Sequence, residues 1–218
     1  MNEINLITHP FKSEILSRIK GEIKDFDFNY FDNPKAVSGF RGFHLSGNAA
    51  EGKRDFREEA KEIAKLRISS LLDIGCAKGF LVKELRDIKI KAEGIDTSIY
   101  AINNAQKKIR EYVRLMRIQD LNSNKRYDVI HCCSSLQYLR LSEIKHALKK
   151  FHKISNLGII IDVPTKEDIL EWYNNKDVAG IDLLRKQELS QKEWDLLVEN
   201  AGFRKKSNVI GGFFYKKA

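Results

Sequence analysis

The chain has 218 residues, 42% hydrophobic and 32% charged, with 39 Lys and Arg against 30 Asp and Glu for a formal net charge of +9. A chain of this size buries roughly 70% of the surface it would expose when unfolded, which excludes disorder as its main state. Three cysteines, two of them adjacent, exclude a disulfide framework and predict a reducing, cytoplasmic setting.

The N-terminal stretch Met1 to Pro10 lacks the basic-then-apolar order of a secretory signal. Phe11 to Phe26 has the spacing of an amphipathic helix. Phe26 to Gly52 is different, with aromatics at Phe26, Phe28, Tyr30, Phe31, Phe40 and Phe43 and no sustained period. Such a segment must pack on something else, and the open end of a sheet is the expected surface. We therefore divide the chain into residues 1–60, an N-terminal helix and aromatic lid, and residues 61–218, the main domain.

From about residue 66, short apolar runs alternate with amphipathic stretches. Ile68 to Ile74 reads as a strand, Phe80 to Asp87 as a helix, Ala92 to Asp96 as a strand and Ser98 to Glu111 as a helix. Val113 to Arg117 and Tyr127 to Cys132 read as strands, Ser142 to Lys153 as a helix and Leu157 to Val163 as a strand. The apolar runs, Ile68 to Cys76 and Leu157 to Val163 among them, are far short of the ~20 residues a membrane helix needs, so a soluble protein with no membrane partner is expected. Ser190-Gln-Lys-Glu193 is a capping box that opens a helix to Ala201, with Gly202 where a left-handed residue is wanted. Phe203 to Ile210 and Phe213 to Lys217 flank Gly211-Gly212, which favours a hairpin. The predicted fold is α/β: a doubly wound, mostly parallel sheet with helices on both faces and a C-terminal antiparallel hairpin.

The string Leu71-Leu-Asp73-Ile-Gly75-Cys76-Ala77-Lys78-Gly79-Phe-Leu ends a predicted strand and opens a helix. That is where a glycine-bearing turn brings backbone amides to a ligand. Ala77 stands where the dinucleotide fingerprint needs its second glycine, and Lys78 is followed by Gly79 rather than Ser or Thr, which excludes a P-loop. Asp73, a carboxylate beside the turn, is a poor neighbour for phosphate and a good one for a cation. Asp96 stands about 20 positions past the turn, where an acid accepts hydrogen bonds from ribose hydroxyls.

Asp73-Ile-Gly75-Cys76-Ala77-Lys78-Gly79 resembles the first motif, Asp/Glu-x-Gly-x-x-x-Gly, of the class I S-adenosylmethionine-dependent methyltransferases, over roughly residues 66–217. The resemblance implies S-adenosylmethionine as cofactor, leaving as S-adenosylhomocysteine. It also implies a set of cofactor-binding residues. Asp73, Gly75, Cys76 and Gly79 surround the amino-acid end, Asp96 with Thr97 the ribose, Asp120 with Leu121 the adenine, and Cys132 with Cys133 the methionine arm. No metal is expected, because Cys132, Cys133 and His131 have no second pair at ligand spacing and read as buried small residues. His44, Tyr30, Gln137 and Tyr138 are candidates for a base, and none is assigned a catalytic role.

Cys-Cys-Ser-Ser after the fourth strand, where base-amine methyltransferases carry Asn/Asp-Pro-Pro-Tyr/Phe, argues against that chemistry. The leading expectation is methyl transfer to oxygen or nitrogen of a small polar metabolite, such as a sugar or phosphate derivative. Two alternatives stay open: an RNA methyltransferase using the basic surface, and a binding module without turnover.

Overall fold

The strand β1 (Ser70–Ile74) is buried from Leu71 onward on both faces, which requires a strand on each side and cover above and below. The computed structural model supplies both, and describes residues 6–13, 25–32, 55–122, 124–176, 182, 184–210 and 212–218. On either side of β1 lie β2 (Lys91–Asp96) and β4 (Tyr127–Cys133), both parallel to it. With β3 (Val113–Leu115), β5 (Ser155–Asp162), β6 (Phe203–Val209) and β7 (Gly212–Lys217), the order across the sheet is β3-β2-β1-β4-β5-β7-β6. The chain winds outward from β1 through β2 to β3, then returns to the other side of β1 as β4. The carboxyl ends of β1 and β4 therefore diverge, and a crevice opens between the loops that leave them.

Helices cover both faces. Against one pack α2 (Phe56–Ala64) and α3 (Phe80–Asp87), through Ala60, Ile63, Leu81 and Leu85 onto Leu71 and Val129. Against the other pack α5 (Leu141–Ile154) and α7 (Gln191–Asn200), through Ile144, Phe151, Trp194 and Val198 onto Leu72 and Ile130. The Ser190 box is formed, Ser190 Oγ accepting from the Glu193 amide, and β7 runs antiparallel to both β5 and β6 as predicted. Gly212 belongs to β7, opposite Val209, rather than to the turn.

Several expectations shift. The helix predicted over Ser98 to Glu111 is split into α4 (Ile99–Asn103) and a 3-10 turn (Lys107–Tyr112). Ser98 caps the first piece, but Gln106 is extended at ψ 140°, and the Arg110 guanidinium folds back onto the Asn103 and Ala105 carbonyls that a continuous helix would have used. A helix not predicted, α2, crosses position 60, so the expected boundary falls inside an element that belongs to the sheet's cover. Of the predicted helix Phe11 to Phe26, residues 10–13 are helical, with the Ser13 amide bonded to the His9 carbonyl, while residues 14–24 lie outside the described residues. Phe40, Phe43 and His44 lie outside them as well. Residues 6–13 pack on α6 (Lys166–Asn174), where Phe11 meets Tyr173 and Lys12 pairs with Glu188 at 3.1 Å. No helix among the described residues is long and apolar enough to cross a membrane.

Candidate functional site

The loop from β1 to α3 turns on two glycines with positive φ, Gly75 and Gly79, both at 75°. Between them Ala77 also takes φ 47°, a left-handed conformation that costs roughly 1–2 kcal/mol in a residue with a Cβ. The turn is held by its neighbours in space: the Gly75 and Cys76 amides donate to the Ile95 carbonyl at 2.8 and 3.1 Å, and the Ala77 amide donates to Asp96 Oδ2 at 2.8 Å. A Cβ on Gly75 would lie 1.9 Å from Ser135 Oγ, which itself bonds the Ile74 and Cys133 carbonyls. Gly75→Ala is expected to lower stability by about 2 kcal/mol, by combining an unfavourable φ with that clash, and to abolish cofactor binding; a thermal melt and a binding titration check both.

Beyond this turn lies a cavity of about 270 Å³ bordered by the ends of β1, β2 and β4. Of the residues expected from the sequence, Asp73, Gly75, Cys76, Asp96, Thr97 and Cys133 line it. Gly79, Asp120, Leu121 and Cys132 do not. Gly79 instead packs beside Ile109 and Val113. Asp120 ends the 3-10 turn Ile118–Asp120 and points outward, held by Arg117 through bonds of 2.9 and 3.1 Å that also draw its pKa down. Leu121 joins the core on the far side. Cys132 faces that same core, because neighbours on a strand point to opposite faces and Cys133 takes the cavity side.

The structure adds wall residues that motif spacing missed. Met116, Arg117, Ile118 and Gln119, just past β3, also line the cavity; two apolar side chains with one residue between them after a strand end, Met116 and Ile118, were the available signal. Phe26, Tyr30 and Phe31, around the short helix α1 (Phe28–Phe31), form a further wall with Tyr138. This N-terminal segment is anchored to the glycine turn. Lys78 Nζ bonds both Asp32 oxygens at 2.6 and 2.7 Å, Tyr100 donates to Asp32 at 2.5 Å, and Ser98 Oγ donates to the Phe26 carbonyl at 2.5 Å.

Asp96 Oδ1 accepts the Ser98 amide and Oδ2 the Ala77 amide, the Thr97 amide also faces the carboxylate, and lone-pair capacity remains for a ligand hydroxyl. Burial raises its pKa, the bonds from Ser98 and Ala77 counter that rise, and Asp73 adds to it by repulsion. Asp73 is engaged too: its Oδ1 lies 2.6 Å from His131 Nδ1, while His131 Nε2 meets Glu59 of α2 at 3.1 Å. Burial opposes a charged imidazole there, yet Cys133 and Asp73 hold the His131 pKa well above its ordinary value. On the opposite wall the Tyr30 and Tyr138 hydroxyls are 2.5 Å apart, and Tyr138 donates to Asp182 at 2.7 Å. Both phenols are pushed well up, by burial first; the nearby Asp182 carboxylate adds to each.

An S-adenosyl group fits this cavity on the structure's own terms. Gly75, Cys76 and Ala77 of the turn border it with their backbone, the carboxylates Asp73 and Asp96 rather than a phosphate nest surround it, and Met116 and Ile118 add apolar lining past the acid that would take the ribose.

A family model described as a methyltransferase domain matches residues 46–208. The fold is similar to that of DesVI from Streptomyces venezuelae, with a TM-score of 0.60 at 15% identity over 75% of this chain and 92% of that one. It is also similar to the magnesium protoporphyrin IX methyltransferase ChlM from Synechocystis PCC 6803 with bound SAH, at TM-score 0.58 and 15% identity over 79% and 89% of the two chains. A third likeness is to the plantazolicin methyltransferase BpumL in complex with a triazolic desmethylPZN analog and SAH, at TM-score 0.59 and 19% identity over 73% and 71%. A search of curated protein sequences finds no match. With a methyltransferase model covering most of its length and a seven-stranded fold to match, the chain belongs to the methyltransferase-domain family and is an S-adenosylmethionine-dependent methyltransferase.

Proposed function

We propose that the protein transfers a methyl group to oxygen or nitrogen of a small polar molecule, a sugar or phosphate derivative being the class expected from the sequence. The carrying observation is the aromatic wall: Phe26, Tyr30, Phe31 and Tyr138 border the cofactor cavity, a surface on which a small acceptor can lie beside the methyl group. Bound S-adenosylmethionine supplies an electrophilic methyl on a sulfonium centre, so the chain's own task is to align an acceptor and exclude water. In this reading Asp96 holds the ribose, Gly75 and Cys76 give room for the amino-acid end, and Met116 with Ile118 flank the base.

An acceptor hydroxyl or ammonium must also lose a proton. The path Tyr30 to Tyr138 to Asp182 is the chain's means of taking it: neither phenol ionises easily, but a hydrogen-bonded pair ending on a carboxylate can shift protons along itself. Tyr138→Phe is expected to cut kcat at least tenfold with cofactor affinity unchanged. Equal kcat in the variant would remove the path.

The direct test is to incubate the protein with S-adenosylmethionine and a cell extract and find which compound gains the mass of one CH2. A methylated small molecule supports the proposal. A methylated RNA would transfer it to the second reading, which the +9 charge favours and which predicts binding that weakens steeply with salt.

A further inference from the structure

In the wall of the cavity lies a buried polar cluster to which the proposed methyl transfer assigns no step. Glu59 of α2 and His131 and Cys133 of β4 bring a carboxylate oxygen, a ring nitrogen and a sulfur within 4.8 Å of one another. His131 Nε2 is 3.1 Å from Glu59 Oε1 and 2.9 Å from Cys133 Sγ. That nitrogen carries at most one hydrogen, so it donates to at most one of these two neighbours. Its other nitrogen, Nδ1, is fixed by Asp73 at 2.6 Å.

We propose that Glu59, His131 and Cys133 form a binding site for one divalent transition-metal ion of the zinc class. A cation here would accept the Nε2, Oε1 and Sγ lone pairs together. Asp73 would keep its bond to Nδ1–H, which is the carboxylate–histidine–metal arrangement that orients a ligating imidazole. The mixed nitrogen, oxygen and sulfur set selects zinc over magnesium or calcium. Donors around a tetrahedral zinc sit ~3.3–3.6 Å apart, so the Nε2–Oε1 and Nε2–Sγ pairs need open by only a few tenths of an ångström. Glu59 is fully buried, as is Asp73, so a divalent ion held here would lie in the field of two carboxylates. His131 and Cys133 also line the cofactor cavity, which provides an entry path.

The test begins with the full-length protein as purified, analysed for zinc, then stripped with a chelator and titrated with cobalt(II). The expected result is one equivalent of metal per chain, with the thiolate-to-cobalt charge-transfer band and the visible bands of a tetrahedral ion. Cys133→Ser should remove the charge-transfer band, while Cys132→Ser, on the opposite face of the sheet, should leave it intact. Asp73→Asn should keep the band but weaken cobalt binding about 10- to 100-fold, as loss of an orienting partner does. Circular dichroism of each variant separates loss of the site from loss of the fold. Absence of zinc and of any cobalt spectrum overturns the proposal and leaves the His131 imidazolium as the cation of the cluster. A band that survives Cys133→Ser overturns it equally.

Discussion

Replacing Asp32 with alanine should destabilise the protein by about 3 kcal/mol, because it takes from the buried Lys78 ammonium the carboxylate it is bonded to. Lys78 sits inside the glycine turn with its side chain 1% exposed, and both Asp32 oxygens are bonded to it. Removing one member of a buried pair costs roughly 3–5 kcal/mol, since the other keeps its desolvation penalty without compensation; the 12% exposure of Asp32 places this case at the low end. For a domain of this size the melting temperature should fall by roughly 6–12 °C. The double variant Lys78→Met with Asp32→Leu should recover most of the loss, because an apolar pair of similar volume needs no desolvation. The same bond tethers residues 25–32 to the turn, so Asp32→Ala should also raise KM for the acceptor. A melting temperature within 2 °C of the parent, measured by calorimetry, would mean that Lys78 reaches water without Asp32.

The Asp32–Lys78 pair also marks what could be read from the chain and what could not. The β1 to α3 turn was legible because its requirements are local: a buried strand, glycines where φ is positive, and a helix that follows at once. Asp96 was legible for a similar reason, as an acid at a strand end at a fixed distance from the turn. Asp120 satisfied a comparable spacing, yet its side chain is claimed by Arg117 three residues earlier, a competition that spacing cannot express. Cys132 and Cys133 could have been separated beforehand. Strand alternation forbids both from facing one cavity, and only the choice of face needed the fold.

Glu59 shows the remaining limit. It meets His131 from 72 positions away, on a helix whose start at Asp55 was hidden among the aromatic and charged residues ahead of the sheet. His131 and Cys133 had no ligand-spaced companion in the sequence; tertiary packing brings the carboxylate that pattern reading could not. The segment of residues 25–32 is an intermediate case. Its aromatic content announced a surface to cover, but the bonds from Lys78, Tyr100 and Ser98 that hold it arise from side chains 46 to 72 residues distant.

Asp96→Ala should weaken cofactor binding by about 2–3 kcal/mol, or roughly 30- to 150-fold, through lost charge-assisted hydrogen bonds. Two roles are combined in this side chain, and the variants divide them. It fixes the Ala77 and Ser98 amides, and in the proposed complex it receives the ribose hydroxyls. Asp96→Asn keeps one acceptor oxygen without the charge, so it should retain most of the fold's stability while losing part of the affinity. The pH dependence follows from the direction of its pKa. Burial raises the value above that of a free aspartate, so the carboxylate is protonated at a higher pH than usual as acid is added. Protonation takes away an acceptor and the negative charge, so affinity for S-adenosylhomocysteine should be full at neutral pH and fall as pH drops through that raised value. The Asn variant cannot titrate at this position and should lose this step of the profile. Isothermal calorimetry between neutral and mildly acidic pH reads both effects, and a wild-type profile that overlays the Asn profile would assign the ribose to another group.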